Sequence, residues 1–213
     1  MTEPHIQPVG DSALVVTFGE EISLDINRRV QALVRLVARE RLAGIEECVP
    51  TYSTLLVHYD PLQWRYAQVR NWLAGQVREA ESSPVEPPRR IEIPTRYDGP
   101  DLEFVARHHH LAIEDVIRIH SSGEYLVYMM GFTPGFPYLG TLDDSIATPR
   151  LETPRSHVPA GSVGIAGRQT GIYPVDSPGG WRVIGHTPRR LFDPTETPPF
   201  LLAPGNVVRF VPI

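Results

Sequence analysis

The sequence lacks the features that mark secreted, membrane-spanning and nucleic-acid-binding proteins. Cys48 is the only cysteine among 213 residues, so an intrachain disulfide is excluded and nothing indicates secretion. No stretch approaches the roughly 20 apolar residues that span a bilayer, and the N-terminal MTEPHIQPVG has no signal-peptide pattern. The formal net charge is −5 and there is no basic block. We therefore expect a cytoplasmic protein with no membrane segment and no nucleic-acid partner.

Several familiar catalytic and phosphate-binding motifs are also missing. The patterns GxxxxGKS, GxxxxGKT, GxSxG and HExxH are absent, so the chain has no Walker-type phosphate loop of its own. The glycine-rich segment 161–167 does not fit GxGxxG and is typical of a strand between tight turns. His108, His109 and His110 are consecutive, and consecutive helical residues point about 100° apart, so they do not close on one metal ion. We predict no metal site, and no nucleophile–base pair can be assigned.

The first half of the chain alternates strand-like and helical patterns. Apolar residues at helical spacing predict one helix capped by Ser23 and a second helix beginning at Asp60. Compact β-favouring runs predict three strands, at residues 12–18, 45–49 and 54–59. The resulting order, β-α-β-β-α, supplies five of the six elements of a ferredoxin-like α/β domain.

A domain boundary is predicted near residue 88. The segment 82–90, SSPVEPPRR, has three prolines and no periodicity, which is typical of a linker. It divides the chain into a domain of residues 1–88 and a domain of residues 89–213. Residues 90–95 follow the linker and are the candidate for the missing ferredoxin-like strand, if they pair back with the first domain.

Turn residues dominate the second half. The chain has 22 Pro and 17 Gly, and from residue 131 onward they occur every few positions. Two short helices are predicted at residues 101–109 and 113–120, the first with Asp101 as a possible cap. Short, closely spaced strands then favour a sandwich or a closed barrel over a parallel α/β sheet. They are predicted at residues 125–130, 162–166, 171–175, 181–185, 200–202 and 207–211.

Residues 131–140, GFTPGFPYLG, combine stiff and permissive backbone with aromatic side chains. The prolines restrict the backbone and lack N–H donors, while the glycines allow close approach. Phe132, Phe136 and Tyr138 supply apolar surface. Two interpretations stay open at this point. The aromatics form the wall of a binding site, or the loop folds over the core.

Polar groups follow in the next forty residues. Arg150 and Arg155 lie near proline breaks, and two arginines on stiff loops can bind a carboxylate or phosphate. Gln169, Thr170 and Ser177 add neutral hydrogen-bonding groups. Together they predict a polar, cationic patch beside the aromatic loop.

These segments resemble a known family. GFTPGFPYLG, PRSHVPAGSVGIAGRQTGIYPVDSPGGW, IGHTPRRLFD and LLAPGNVVRFVPI are similar to the B subunit of the prokaryotic 5-oxoprolinase. The same family is called allophanate hydrolase subunit 1 and includes the Kip inhibitor of a sporulation histidine kinase. GDSALVVTFGEEIS and LLVHYDP near the N-terminus match it too, so the resemblance covers nearly the whole chain.

The resemblance implies an α+β protein with a small α/β N-terminal domain and a cyclophilin-like β-barrel C-terminal domain. It implies a non-autonomous enzyme component that works with the A and C subunits in the ATP-dependent opening of 5-oxoproline to glutamate. The pair that it forms with the C subunit resembles the carboxyltransferase part of urea carboxylase. ATP and Mg²⁺ are expected at the level of the complex, because this chain has no phosphate loop.

The resemblance also implies site residues. We expect a substrate-binding pocket, and its candidate residues are His120, Tyr128, Phe136, Arg150, Arg155 and Gln169. Phosphorylation of the lactam oxygen would activate the stable amide, and an arginine would bind the substrate carboxylate. The sequence departs from the family at Thr141, where a second glycine is usual, and at His186, where arginine is usual.

Two other functions compete with the role of an enzyme component. A regulatory module of the Kip-inhibitor type would dock its aromatic loop on a histidine kinase. An active prolyl isomerase would follow from the cyclophilin-like barrel, but no pattern in the sequence supplies its catalytic arginine.

Overall fold

The computed structural model describes residues 3–82 and 87–213. The chain divides into two compact units, Met1–Pro87 and Pro88–Ile213. Part of the predicted linker, residues 83–86, lies outside the described residues. Both units mix helices with sheet, so the predicted α+β class is confirmed.

The N-terminal unit is a four-stranded antiparallel sheet with two long helices. Its strand order is β1-β2-β4-β3, and each neighbouring pair is antiparallel. Side chains alternate between buried and half-buried along β4, as expected for a strand with one face on the core. The elements are β1 His5–Val9, β2 Ala13–Thr17, α1 Leu24–Glu40, β3 Ile45–Pro50, β4 Thr54–Tyr59 and α2 Tyr66–Ser82.

The two helices present apolar stripes to this sheet. Val30, Leu33 and Val37 of α1 are buried at helical spacing, as the sequence predicts. Glu40 at the end of α1 accepts hydrogen bonds of 2.7 Å from both Trp72 Nε1 and Gln76 Nε2 of α2. These bonds fix the packing of the helices at their polar margin.

Helix α1 begins as predicted, after Ser23, although the Ser23 side chain makes no capping hydrogen bond. Helix α2 begins at Tyr66 and not at Asp60. The Asp60 carbonyl accepts hydrogen bonds from the backbone N–H groups of Gln63 and Trp64, so residues 60–64 form a turn. Pro61 is compatible with such a turn, and the helix starts only after it.

The prediction that Arg90–Thr95 could pair with the N-terminal sheet is wrong. This strand, β5, runs parallel to β13 (Val207–Pro212) in the C-terminal unit. The edge beside β2 is occupied by β1, a strand that the sequence analysis did not predict. Strand β1 has mostly exposed side chains, so it lacks the hydrophobic pattern that would have revealed it.

The C-terminal unit is built around a seven-stranded sheet, in the order β12-β9-β10-β7-β6-β13-β5. Two short helices precede β6, and a two-stranded sheet of β8 and β11 lies outside the seven-stranded order. The elements after β5 are α3 Leu102–His108, α4 Ile113–Ser122, β6 Tyr125–Met130, β7 Pro137–Gly140, β8 Arg155–Val158, β9 Ser162–Ala166, β10 Gln169–Ile172, β11 Ser177–Gly179, β12 Arg182–His186 and β13 Val207–Pro212.

The large sheet nearly closes into a barrel through residues 96–101, which we call the closing segment. Arg96 and His186 exchange backbone hydrogen bonds of 2.9 and 2.8 Å, which joins the chain after β5 to β12 at the far edge. The Asp101 N–H continues the contact by donating to the Val183 carbonyl at 2.9 Å. A Cβ atom on Gly99 would lie 2.4 Å from the backbone nitrogen of Gly185. Glycine is therefore required for this close approach.

Two apolar clusters stabilise the unit. The larger one fills the barrel with residues from helices and strands, including Val116, Leu139, Ile165 and Phe210. The smaller one contains Phe136, Val158, Ala166, Tyr173, Trp181 and Val183. We call the smaller one the aromatic cluster.

Several predictions for this unit need correction. Residues 200–202 form no strand in the described chain, and Phe200 makes an isolated bridge with Phe192. Pro137–Gly140 is a strand, β7, and not part of a loop. The sequence analysis missed β7, β8 and β11 because their three or four residues are too short for a recognisable period.

Candidate functional site

A cleft of about 420 Å³ opens in the C-terminal unit beside the closing segment. Strands β8, β9 and β12 supply its other walls. Val158 and Val183 are apolar lining residues. The polar side chains in its lining are those of Asp98, Arg155, His157, Ser162 and His186.

A carboxylate–histidine pair lies in this cleft. The Asp98 Oδ1 atom is 2.7 Å from Nδ1 of His186. A carboxylate only accepts hydrogen bonds, so Nδ1 of His186 is the donor to Asp98. Ser162 is the direct cross-strand partner of His186. The closing segment and strands β12 and β9 therefore supply Asp98, His186 and Ser162, respectively.

An ion pair anchors one wall of the cleft. Asp101 is buried, and its carboxylate accepts hydrogen bonds of 2.8 and 2.9 Å from the two terminal nitrogens of Arg155. It also accepts a 2.7 Å hydrogen bond from the Val183 N–H. The hydrogen bonds to Asp101 are the largest influence on Arg155, and they raise the pKa of its guanidinium group. The pair therefore ties the closing segment to β8 and β12.

The aromatic cluster brings together other predicted residues. The Phe136 ring meets Tyr138, Tyr173 and Trp181 edge-on at centroid distances of 5.0 to 5.3 Å. Arg150 is exposed, and its guanidinium lies 5.8 Å from the Trp181 ring centroid.

The charges of Arg150 and Arg155 both act on Tyr173. Burial raises the pKa of the Tyr173 hydroxyl, and the two arginines oppose this rise. Both guanidinium groups are therefore close enough to this tyrosine to act on its hydroxyl.

Of the three aromatic residues of segment 131–140, only one is exposed. Phe136 has 1% of its surface exposed, Tyr138 is half-buried, and Phe132 is 62% exposed. The two interpretations of this segment, a binding wall and a loop folded over the core, thus apply to different side chains. Phe136 folds into the aromatic cluster, and Phe132 presents apolar surface.

Gln169 and Tyr128 occupy different environments. Gln169 is half-buried and lies opposite Ala166 of the aromatic cluster in the β9–β10 register. Tyr128 is 2% exposed, and its ring packs so closely on Gly140 that a Cβ atom there would lie 2.9 Å away. Tyr128 is therefore positioned within the sheet and not on an open surface.

His120 lies in the barrel interior. Its Nδ1 is 2.8 Å from the Tyr97 hydroxyl and its Nε2 is 2.9 Å from the Thr170 hydroxyl. Its ring stacks on Tyr125 and contacts Phe210. Complete burial lowers the pKa of His120 to about 3, so the imidazole is neutral near pH 7. The predicted pocket residue is thus a hydrogen-bonded core histidine in this structure.

The predicted residues therefore separate into three groups. Phe136, Arg150 and Gln169 gather at the aromatic cluster, Arg155 lines the cleft, and His120 and Tyr128 are buried. Sequence reasoning did not find the pairs Asp98–His186 and Asp101–Arg155. The only signal was His186, noted as a departure from the family, and nothing in the sequence linked it to Asp98.

Metal sites and membrane spans are not found in the part of the chain that the structure describes. Residues 3–82 and 87–213 contain no group of three or more His, Cys, Asp or Glu side chains placed to hold a metal ion. Among the helices of the described chain, none has the length and apolar character needed to cross a bilayer.

Known proteins with similar sequences place this chain in a family. The family model for the carboxyltransferase domain, subdomains C and D, matches residues 4–202. The chain is 43% identical to the 5-oxoprolinase B subunit of Bacillus subtilis, over 98% of this chain and 92% of that protein. It is 41% identical to the 5-oxoprolinase B subunit of Escherichia coli O157:H7, over 96% of this chain and 94% of that protein.

Solved structures share the fold. The structure of TTHA0988 matches with a TM-score of 0.86 and 41% identity, over 94% of this chain and 40% of that longer chain. The Kluyveromyces lactis urea carboxylase matches with a TM-score of 0.73 and 21% identity, over 99% of this chain and 22% of that chain. This second likeness shows the fold alone.

The chain belongs to the carboxyltransferase-domain family, subdomains C and D. Within that family it belongs to the B subunits of 5-oxoprolinase. The resemblance predicted from the sequence motifs is confirmed.

Proposed function

We propose that this chain is the B subunit of an ATP-dependent 5-oxoprolinase, which opens 5-oxoproline to L-glutamate. The observation that carries the proposal is the sequence identity of this chain to two proteins of that name. The identity is 43% and 41%, over nearly the full length of this chain and of each relative. The chain acts as a non-autonomous component, together with the A and C subunits in the cytoplasm. Docking on a histidine kinase, the alternative expectation, is not favoured by these relatives.

The substrate class fits the surface beside the aromatic cluster, where the half-buried ring of Tyr138 packs against Phe136. 5-Oxoproline is a small, flat lactam with one carboxylate. Arg150 is exposed and pairs with no carboxylate among the described residues. Its guanidinium can therefore bind the substrate carboxylate, while the accessible part of the Tyr138 ring supports the lactam ring.

Arg155 is less suited to that role. Two of its nitrogens already bind Asp101, and Asp101 also holds the Val183 N–H. Recruiting Arg155 to a substrate would leave a buried carboxylate without its main partner, which is costly. We therefore assign carboxylate recognition to Arg150 and structural anchoring to Arg155.

ATP and Mg²⁺ belong to the assembled complex in this proposal. The sequence has no phosphate-loop motif, and the described residues present no acidic cluster suited to a cation. These residues do not fit a nucleotide–metal site by themselves, so we derive no step of the reaction through ATP in this chain.

The strand arrangement of each unit is similar to that of a known fold. We infer a ferredoxin-like arrangement in the N-terminal unit, with β1 at the edge where that fold has its last strand, because the order β1-β2-β4-β3 is fully antiparallel. We infer that the nearly closed seven-stranded sheet is a cyclophilin-like barrel.

The test is reconstitution. This chain is co-expressed with the A and C subunits of the Bacillus subtilis enzyme, and glutamate and ADP are measured with and without 5-oxoproline. Glutamate should form only when all three subunits are present. Full activity without this chain, or activity from this chain alone, would overturn the proposal. A complex that forms but hydrolyses ATP without producing glutamate would point to a different amide substrate.

A further inference from the structure

We infer that Tyr138 is a specificity-determining residue whose hydroxyl donates a hydrogen bond to the substrate carboxylate that Arg150 binds. The inference rests on the proposed function, because it names a second group that recognises 5-oxoproline. A single exposed arginine holds a carboxylate only weakly in water, and a second donor on the same carboxylate strengthens and orients the contact. Neither the family model nor the names of the relatives assign a role to this tyrosine.

Tyr138 combines a packed ring with partial access to solvent. It is the half-buried residue of β7, whose other three residues are buried. Phe136, Tyr173 and Trp181 of the aromatic cluster are at most 6% exposed. Tyr173 also carries a hydroxyl, but this residue is 1% exposed and has no surface to offer a ligand. At this site Tyr138 is therefore the tyrosine that joins a polar group to accessible surface.

Packing fixes the position of the Tyr138 ring. Its centroid lies 5.0 Å from that of Phe136 and 5.9 Å from that of Trp181, and both contacts are edge-on. Gly171 stands directly opposite Tyr138 in the β7–β10 register. A Cβ atom on Gly171 would lie 2.9 Å from the Phe136 ring and 3.0 Å from the Trp181 ring, so the glycine makes room for both. A ring held on two sides carries its hydroxyl in a defined position, as a specific hydrogen-bond donor requires.

Arg150 and Tyr138 meet at the same indole ring. The Arg150 guanidinium lies 5.8 Å from the Trp181 ring centroid, and the Tyr138 ring centroid lies 5.9 Å from it. Burial raises the pKa of the Tyr138 hydroxyl, and the nearby charge of Arg150 opposes this rise. A phenol whose pKa is raised stays protonated near pH 7, so it keeps a hydrogen to donate. A carboxylate beside both groups receives the arginine fork and the phenol hydrogen together.

The carboxylate is the part of the substrate that suits two neighbouring donors. It is ionised near neutral pH and accepts through two oxygens, whereas the lactam has one neutral carbonyl oxygen and an N–H that donates. Hydrogen bonds to an ionised acceptor are also stronger than those to a neutral one. A lactam without the carboxylate leaves both Arg150 and Tyr138 without their shared acceptor. The pair therefore selects 5-oxoproline over an uncharged lactam.

The first experiment measures recognition in the complex reconstituted with the A and C subunits. Tyr138→Phe removes the hydroxyl and keeps the ring. KM for 5-oxoproline should rise about 10-fold, with kcat changed by less than about threefold. The uncharged lactam 2-pyrrolidinone is added as a competitive inhibitor, and its inhibition constant should stay within about threefold because it has no carboxylate. The matched control, Tyr66→Phe, alters an exposed tyrosine of α2 and should leave all three constants unchanged.

A second experiment measures whether Tyr138 and Arg150 bind the same carboxylate. Tyr138→Phe is combined with Arg150→Ala, and KM is compared among the four complexes. Two donors on one carboxylate give effects that are not additive, so Tyr138→Phe should raise KM by less than about threefold in the Arg150→Ala background. Thermal unfolding of the isolated chain checks the fold, and Tyr138→Phe should shift Tm by less than about 3 °C.

The outcomes separate the two proposals. If the complex with the unsubstituted chain forms no glutamate, the proposed function fails and the inference fails with it. If that complex turns over and Tyr138→Phe keeps KM within about twofold, only the inference is overturned. Equal rises in KM and in the inhibition constant of 2-pyrrolidinone would show that the hydroxyl supports the site as a whole, which also overturns carboxylate recognition. Additive effects in the double variant would assign the hydroxyl to a different acceptor and overturn the shared site.

Discussion

The carboxylate of Asp101 binds the guanidinium of Arg155 through two hydrogen bonds of 2.8 and 2.9 Å, across 54 positions of sequence. Asp101 occupies the N-cap position of α3, yet its side chain makes no capping hydrogen bond. The carboxylate instead holds β8 and β12 against the closing segment. Arg155, a candidate substrate-binding residue in the sequence analysis, thus stabilises the wall of the cleft.

Removing this anchor should destabilise the C-terminal unit. Asp101→Asn leaves the Arg155 charge unpaired and weakens the hydrogen bond to Val183, so we expect a loss of about 2–4 kcal/mol in the free energy of unfolding. Urea unfolding followed by circular dichroism measures it. The matched control is Asp115→Asn, which breaks the exposed pair Arg118–Asp115 and should change stability by less than about 0.5 kcal/mol. Equal effects of the two substitutions would contradict this account.

Gly99 should tolerate no side chain. A Cβ atom there would lie 2.4 Å from backbone atoms of β12, so Gly99→Ala must push the closing segment away. We expect destabilisation of about 1–3 kcal/mol or more, together with a change in the NMR signals of His186. Gly75 of α2 is the control, because a Cβ atom there meets nothing within 4 Å. Gly75→Ala should stabilise the protein by up to about 1 kcal/mol. A neutral Gly99→Ala would show that the barrel closes differently.

The buried His120 should make stability depend on pH. Its pKa is lowered from 6.5 to about 3 by burial. The unfolded chain therefore binds a proton that the folded chain refuses between these values, and stability is lost as pH falls below 6.5. Between pH 7.5 and 5 the loss should be about 2 kcal/mol.

The His120→Gln variant isolates this effect, because all other groups titrate in both proteins. The difference in unfolding free energy between the two proteins should shrink as the pH is lowered from 7.5 to 5. A difference that stays constant over this range would mean that His120 binds its proton as readily in the folded chain as in the unfolded chain.

Arg150 should affect substrate binding and leave the fold intact. Its side chain is exposed and contacts the Trp181 ring, so Arg150→Ala should change stability by less than about 0.5 kcal/mol. In the reconstituted complex, loss of a charged hydrogen bond should raise KM for 5-oxoproline by about 10- to 100-fold. Arg150→Lys should lie between the two proteins, because it keeps the charge and loses the planar fork. An unchanged KM in Arg150→Ala would assign the carboxylate to another residue.

The sequence by itself determined the class of elements and the family. The helical spacing of Val30, Leu33 and Val37 predicted α1 correctly because a surface helix must bury one stripe. The strands β4, β6, β9 and β13 were found because each carries a run of β-favouring apolar residues. The motif segments of the second half were specific enough to predict the family that the comparisons confirm.

Only the tertiary structure decided the partners of each residue. His186 meets Asp98 across 88 positions, and no local pattern records such a contact. Strand β5 pairs with β13 and not with the N-terminal sheet, since strand pairing depends on which edge is available once the barrel forms. His120 and Arg155 looked equally free to bind a ligand in the sequence. Burial and the position of Asp101 made one a core residue and the other an anchor, because a side chain's role depends on what the folded chain brings beside it.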